Sequence, residues 1–117
     1  MAWAVLYHDA FLPELEALPE GVQDELLALV ELLAVSGPTL GRPHADTLAG
    51  SKHANMKELR FAADDGAWRV AFAFDPKRRA IILVAGDKSG KAQRRFYKAL
   101  IARADARFAD HLETLKG

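Results

Sequence analysis

The segment that decides the fold is Ala67–Phe74, which reads AWRVAFAF. Large apolar side chains alternate in it with alanines and one arginine, and this period of two is that of a β-strand. The alternation places on one face Trp68, Val70, Phe72 and Phe74, and on the other Ala67, Arg69, Ala71 and Ala73. It predicts a strand whose aromatic face packs on an apolar core.

Two further segments with strand patterns flank this one. Asn55–Ala62 precedes it across the turn Ala63–Gly66, and Ala80–Gly86 follows it. Asp75 and Pro76 hold the residue types favoured at the first two positions of a turn. The three segments therefore predict an antiparallel meander.

The expected register brings two like charges together. If Ala62 pairs with Ala67 across a four-residue turn, Arg60 lies directly opposite Arg69, which destabilises a strand pair by roughly 0.2–1 kcal/mol. Two interpretations are open. The arginines can form a phosphate clamp above a floor of small residues, because guanidinium forks match phosphate oxygens. Alternatively, each arginine pairs in solvent with Glu58, Asp64 or Asp65.

The N-terminal half predicts a strand and a helical hairpin. Ala2–Tyr7 is apolar on both alternating faces, as in a short strand buried on both sides. Asp9 is expected to cap a first helix ending near Leu18, and Pro19 to start a second that ends at Ser36.

The remaining segments complete the predicted fold. The interval 39–54 reads as a loop, and a long helix is expected from about Gly90. The order β-α-α-β-β-β-α predicts one α+β domain over residues 1–117. In this fold two N-terminal helices and a C-terminal helix pack on a mainly antiparallel four-stranded sheet.

The composition excludes several classes of protein. The chain has 117 residues and no cysteine, which rules out disulfides, thiolate zinc sites and cysteine nucleophiles. Its apolar runs are too short to cross a bilayer, so we expect no membrane partner. No signal sequence is recognisable, and we expect a cytoplasmic protein.

The two halves of the chain differ in charge. Residues 1–56 carry two basic and eight acidic side chains, a net charge of −6, whereas residues 57–117 carry fourteen basic and eight acidic ones, a net charge of +6. Lys77–Lys98 alone contains eight basic residues and one acid, Asp87. Such asymmetry indicates a surface for a polyanion, with nucleic acid as the first candidate, although a solvated basic face is the alternative.

The start of the last helix is unusually basic. Its first turns carry Lys91, Arg94, Arg95 and Lys98, just after Lys88. Cations at the positive end of a helix disfavour the free protein and favour a bound anion, while Ser89 is a reasonable N-cap. Tyr97 lies beside these cations; it is either a core residue or a platform for a base.

No residue pattern indicates a metal or cofactor site. His44 and His53 lie in the predicted loop without neighbours at metal-ligand spacing, so general-base chemistry is the alternative role for them. A phosphate-binding loop and a nucleotide fingerprint are both absent from the sequence.

Several short motifs together resemble the phage-derived HigB-like toxins of the RelE superfamily. They are Met56–Arg60, Trp68–Pro76, Ile81–Lys88 and Phe96-Tyr97, and the resemblance covers nearly the whole chain. It implies the toxin of a type II toxin–antitoxin pair that enters the ribosomal A site and cuts messenger RNA. The implied reaction is attack by the RNA's own 2′-hydroxyl, with no metal or cofactor. The implied partners are mRNA and an antitoxin, expected to be a HigA-like helix-turn-helix protein.

The resemblance also implies roles for individual residues. Arg69 resembles the strand arginine that holds the scissile phosphate, Lys88 the basic residue after the next strand, and Tyr97 the tyrosine of the last helix. Lys88 or Lys91 is the expected base, with His53 as a substitute. The expected RNA-binding residues are Lys57, Arg60, Arg94, Arg95 and Lys98.

Glu58 departs from the family pattern, because the RelE branch tends to have lysine at this position. Two other functions remain open at this stage. One is a ParE-like inhibitor of DNA gyrase without nuclease activity, and the other is a non-catalytic module that binds RNA or the ribosome.

Overall fold

A computed structural model describes residues 2–116. Their elements are β1 (Ala4–Tyr7), α1 (Leu12–Ala17), α2 (Glu20–Ser36), β2 (Ala45–Thr47), β3 (Met56–Ala63), β4 (Gly66–Phe74), β5 (Arg79–Asp87) and α3 (Gln93–Thr114). The sheet order is β1-β5-β4-β3-β2, in which β1 runs parallel to β5 and the other pairs are antiparallel. The predicted α+β class is confirmed. No helix within residues 2–116 is long and apolar enough to cross a membrane.

The two faces of β4 pack in different layers, as the alternation predicts. Val70 and Phe72 belong to the apolar cluster under α1 and α2. Ala71 and Ala73 belong to the cluster under α3, which includes Phe108. The floor of small residues is therefore covered by α3 at these alanines and is not an open trough.

The predicted register between β3 and β4 is confirmed. Ala62 pairs with Ala67, and Arg60 pairs with Arg69. The ladder continues to Ala63 and Gly66, so the loop contains only residues 64 and 65, at φ 48° and 60°. Loops of two left-handed residues match the twist of a hairpin, and aspartate tolerates this conformation.

The sheet has five strands, so the predicted count of four is wrong. β2 lies in the predicted loop and pairs with β3 through Ala45 and Leu59, Asp46 and Glu58, and Thr47 and Lys57. A strand of three residues is too short to show alternation in the sequence. The surrounding glycines and proline are typical of loops, which hides it further.

The prediction that the first strand is buried on both sides is also wrong. β1 is an outer strand; its Val5 and Tyr7 pack against the core, whereas Leu6 is 39% exposed. α3 packs mainly on β4 and β5.

Helices α1 and α3 begin later than predicted. α1 follows Phe11, which is fully buried, and Asp9 does not cap it. α3 begins at Gln93 without a side-chain cap and without an acid in its first turn. The Ser89 hydroxyl accepts the Ala67 N–H at 2.8 Å instead of capping α3.

A bulge in β5 shapes the surface under α3. Ala71 pairs with Val84 and Phe72 with Ile82, so Leu83 has no partner on β4. Both Leu83 and Val84 consequently face α3. Two residues further, Gly86 lies so close to the Phe96 ring that a Cβ atom would be 2.9 Å from its Cε1.

A buried carboxylate ties the β4–β5 turn to the end of α3. Asp75 Oδ1 accepts the backbone N–H groups of Lys77 and Arg79, while Oδ2 lies 2.9 Å from both Arg79 Nε and His111 Nε2. Burial by itself would raise the pKa of Asp75, but the hydrogen bonds from His111 and Arg79 lower it below 3.8. The folded protein therefore favours the ionised Asp75 carboxylate more strongly than the unfolded chain does.

Asp75→Asn should lower the free energy of unfolding by about 1–3 kcal/mol at neutral pH, because it removes a buried charge-assisted acceptor. A lowered folded-state pKa stabilises the protein above pH 3.8, and this contribution is lost as the pH falls through the folded value. The difference between the two proteins should therefore shrink in acid, as measured by urea unfolding across pH.

Asp110→Asn is the matched control, since the Asp110 carboxylate on α3 also pairs with a histidine, His8, but is 68% exposed. We expect it to change stability by less than about 1 kcal/mol. A difference for Asp75→Asn that does not vary with pH would contradict this account.

Candidate active site

The register between β3 and β4 brings four polar side chains together under the start of α3. Glu58 and Arg60 alternate onto the α3 face of β3, and Arg69 lies opposite Arg60 on β4. Tyr97 reaches the same place from the first turns of α3. Arg60, Arg69 and Tyr97 are thus neighbours, as the sequence suggests.

Glu58 joins the other three side chains. Its Oε2 accepts a hydrogen bond from Arg60 Nη1 at 3.0 Å, and its Oε1 accepts one from the Tyr97 hydroxyl at 2.9 Å. Arg69 Nε lies 3.9 Å from the same Oε1 and donates to the Tyr97 oxygen at 3.2 Å. One carboxylate therefore offsets the repulsion between two arginines.

This arrangement corrects one of the two interpretations of the paired arginines. They are not an unneutralised clamp, because both lie against Glu58. The alternative was that each arginine pairs with an acid, and Glu58 is that acid. Its one carboxylate contacts both arginines. Sequence alternation indicates that Glu58 and Arg60 share a face, but it does not show that Arg69 and Tyr97 converge on the same oxygen.

The cluster is largely removed from water. The side chain of Glu58 is 5% exposed, that of Arg69 is 10% exposed and that of Arg60 is 25% exposed. Arg69 is oriented further by its Nη1, which donates to the Trp68 carbonyl at 2.8 Å. Water competes weakly for these hydrogen bonds, so the side chains are held in a fixed geometry.

Tyr97 is a hydrogen-bond donor at neutral pH. Burial raises its pKa above 10.0, and the hydrogen bond to Glu58 raises it further, while Arg69 acts in the opposite direction. The interpretation of Tyr97 as a core residue is confirmed in part, because it packs against the cluster under α3. Its role as a platform for a base stays a prediction.

An open cleft of about 840 Å³ gives access to this cluster. Glu58, Arg60 and Tyr97 line it, together with Arg94 and Lys98 from α3. The far wall comes from the β2 region and includes Arg42 and Asp46, whose side chains pair at 2.7 Å. Neither residue was predicted for the site, because the sequence pattern does not indicate β2.

Helix α3 divides the cations that the sequence analysis grouped at its start. Arg94 and Lys98 line the cleft, whereas Lys91 and Arg95 line a second groove on the other flank of the helix. Arg94 and Arg95 are adjacent helical residues, about 100° apart around the axis, so they cannot share one face, and Lys91 lies before the helix begins. The expectation of one cation group around the site is therefore wrong for Lys91 and Arg95.

Lys88 remains near the cluster, at the end of β5. Its backbone N–H bonds to the Ala67 carbonyl, and Arg69 pairs with Gly86, so Lys88 is a diagonal neighbour of Arg69. Such neighbours have Cβ atoms about 7–8 Å apart, within reach of long side chains.

Lys57 and the two loop histidines lie outside the cleft. Lys57 Nζ donates to the carbonyls of Pro38 and Leu40, so its side chain lies on the α2 face of the sheet. The His53 ring packs edge-on against Phe108 with centroids 4.9 Å apart. His44 is exposed and contributes its backbone carbonyl to the Arg60 N–H. Within residues 2–116, no three His, Asp or Glu side chains are grouped to hold a metal ion.

Comparison with known proteins identifies relatives of this chain. The model of the family described as phage derived protein Gp49-like matches residues 13–109. Two Mycobacterium tuberculosis proteins named as toxins are similar in sequence: HigB2, 43% identical over 84% of this chain, and HigB3, 41% identical over 91% of it. The chain spans 49% of the length of HigB2 and 94% of that of HigB3.

Two solved structures share the fold. A mutant of the Escherichia coli toxin RelE in the free state superimposes with a TM-score of 0.62 at 14% identity, covering 87% of this chain and 96% of its own. The archaeal RelE–RelB complex from Pyrococcus horikoshii gives 0.56 at 20% identity, covering 77% and 99%. The chain therefore belongs to the phage-derived Gp49-like family, is similar to the HigB toxins in sequence, and has the RelE fold.

Proposed function

We propose that the chain is the toxin of a toxin–antitoxin pair and that it cuts messenger RNA in the ribosomal A site. The observation that carries this proposal is the cluster of Glu58, Arg60, Arg69 and Tyr97, of which all but Arg69 line a cationic cleft. It combines a proton acceptor, two phosphate-binding groups and a neutral donor. Similarity to HigB2 and HigB3 supports the same function.

The cleft suits a single strand of RNA. Four cations line it, namely Arg42, Arg60, Arg94 and Lys98, against two carboxylates, Asp46 and Glu58. Phosphate contacts from such residues hold a nucleic acid irrespective of its sequence and weaken with salt. An unstacked base could lie on the Tyr97 ring, since single-stranded RNA is bound in this way.

In the reaction we propose, Glu58 accepts the proton of the 2′-hydroxyl as its oxygen attacks phosphorus. Arg69 and Arg60 stabilise the charge that develops on the phosphate oxygens. The bond from phosphorus to the 5′-oxygen breaks, and Lys88 donates a proton to the leaving oxygen. The products are a 2′,3′-cyclic phosphate and a 5′-hydroxyl.

This scheme replaces the base expected from the sequence. Lys91 takes no part, because it lines the other flank of α3, and His53 packs on Phe108. Tyr97 is a positioning residue: its hydroxyl donates to Glu58 and accepts from Arg69, which aligns base and phosphate-binding group. The scheme requires no metal or cofactor.

The proposed toxin also requires an antitoxin. The complex of the structural neighbour RelE with RelB supports a protein partner, and a HigA-like helix-turn-helix protein remains the expectation. The acidic hairpin of α1 and α2 lies on the other face of the sheet from the cleft. It is thus available to a partner while RNA is bound in the cytoplasm.

Substitutions in the cluster should slow cleavage by more than any loss of folded protein explains. Glu58→Gln should slow cleavage of ribosome-bound mRNA by roughly 10²–10⁴-fold through loss of the base. Arg69→Ala should slow it by roughly 10²–10³-fold. Tyr97→Phe keeps the packed ring and should lose about tenfold.

Lys77→Ala is the control, because it removes one positive charge from an exposed turn. Circular dichroism and thermal unfolding report whether each variant is folded. Full cleavage by a folded Glu58→Gln protein would refute the proposed base.

The proposed role of Lys88 as the acid can be tested by changing the leaving group of the RNA. Lys88→Ala should slow cleavage of ordinary RNA by roughly 10²-fold or more, because the 5′-oxygen leaves without a proton. Cleavage of RNA with sulfur at that bridging position should be nearly unaffected, since a thiolate leaves unprotonated. An equal loss on both substrates would show that Lys88 is not the acid.

The requirement for the ribosome can be tested in cells. After induction, new transcript 5′ ends should appear within reading frames and vanish when initiation of translation is blocked. Arg69→Ala serves as the inactive control. Growth arrest with intact transcripts would instead favour inhibition of gyrase. Ribosome binding without cleavage would favour a non-catalytic module.

A further inference from the structure

Asp105 is a buried carboxylate that the proposed reaction does not use. It lies in the middle of α3 and is 8% exposed. Within residues 2–116, no Lys, Arg or His side chain forms an ion pair with it. Removing a charge from water without a counter-ion is costly unless hydrogen bonds replace the lost hydration. The groups that donate to Asp105 therefore indicate what this carboxylate does.

The donors belong to the loop of residues 48–55, which joins β2 to β3. The Ser51 hydroxyl donates to Asp105 Oδ1 at 2.5 Å, and the Lys52 backbone N–H donates to Oδ2 at 3.1 Å. The Ser51 oxygen in turn accepts the His53 backbone N–H at 3.0 Å. One carboxylate on α3 thus fixes three consecutive residues of the β2–β3 loop.

The β2–β3 loop contacts α3 over more than one helical turn. Ile101, one turn before Asp105, packs on Gly50, where a Cβ atom would lie 3.4 Å from Ile101 Cδ1. Gly50 has a φ of 97°, a conformation that favours glycine. Tyr97, a further turn earlier, donates to Glu58. Because residues four apart share a helix face, one face of α3 contacts both the loop and Glu58.

The same loop continues one wall of the cleft. Thr47 at the end of β2, Ala49 in the loop and Ile101 on α3 all line the cleft. Leu48 is buried, and its N–H donates to the Met56 carbonyl at 3.1 Å. β2 has three residues, lies at the edge of the sheet and pairs with β3. Such a short edge strand opens easily, so the position of this wall depends on the loop that follows it.

We propose that Asp105 is a positioning residue that holds the β2 wall of the cleft in place for RNA. The inference rests on the proposed function, because the strand to be bound is the message. Arg42 on this wall and Arg94 on α3 can both contact one RNA backbone while the spacing between them is fixed. Asp105 acts through the loop and takes no part in the bond changes. Releasing the loop should weaken RNA binding and spare the chemical step.

The test uses the full chain and ribosomes programmed with one defined message, with the protein in excess over the ribosomes. The dependence of the cleavage rate on protein concentration gives the half-saturation concentration and the maximal rate separately. Asp105→Ala should raise the half-saturation concentration about tenfold and change the maximal rate by less than about threefold. This is the pattern expected when binding shared by the ground state and the transition state is lost.

Two further variants test the same hydrogen bond. Ser51→Ala removes it from the loop side and leaves the packing of α3 intact. It should therefore raise the half-saturation concentration even if Asp105→Ala folds poorly. Asp105→Asn keeps an oxygen that can accept the Ser51 hydroxyl, so its half-saturation concentration should lie between those of the wild type and Asp105→Ala.

Asp75→Asn is the matched control. It also alters a buried carboxylate that bonds to α3, through His111, but Asp75 does not line the cleft. It should leave the half-saturation concentration unchanged although it lowers stability. A rise shared by all the variants would reflect a general loss of folded structure.

Amide hydrogen exchange measures the loop itself, without RNA. In Asp105→Ala, the amides of Lys52 and His53 should exchange about tenfold faster or more, because the loop opens locally more often. In Asp75→Asn, these two amides should exchange as in the wild type.

An unchanged half-saturation concentration in folded Ser51→Ala and Asp105→Ala would overturn the proposal. The same holds for unaltered exchange of the loop amides, for a lower maximal rate at an unchanged half-saturation concentration, and for an equal rise in Asp75→Asn. These results would leave the proposed function intact, since the wild-type chain still cuts. If the wild-type chain cuts no message, the proposed function fails, and this inference fails with it.

Discussion

The ion pair of Glu58 with two arginines is the constraint on which the candidate site depends. The hairpin register fixes Arg60 opposite Arg69, and the surrounding apolar faces prevent the strands from slipping to separate them. The buried carboxylate of Glu58 then keeps both guanidiniums in place by pairing with them. Because Tyr97 bonds to the same carboxylate, the position of α3 over the sheet is linked to the state of this pair.

This linkage bears on how two neighbouring arginines can be stable beneath the cleft in the free protein. Two bare guanidiniums a strand apart would repel each other, and Glu58 removes most of that repulsion in the free protein. In the proposed function, a bound phosphate supplies negative charge to the same arginines.

Local patterns in the sequence predicted the structure correctly where one residue type repeats along one face of a strand. Alternation in β4 and the pairing of Ala62 with Ala67 predicted both faces and the register. They could not reveal β2, which has three residues and depends on β3 for its partner. Nor could they show that α3 separates Arg94 from Arg95, because that outcome depends on how the helix is rotated above the sheet.

The unpaired Leu83 determines which face of the sheet each later residue of β5 occupies. If Leu83 paired regularly and the bulge did not form, every later residue of β5 would change face, and Gly86 would point away from α3 with a bulkier neighbour in its place beneath Phe96. The helix would then be lifted off the sheet at the end that carries Tyr97. A one-residue insertion between Leu83 and Gly86 should consequently be far less tolerated than a change of side chain.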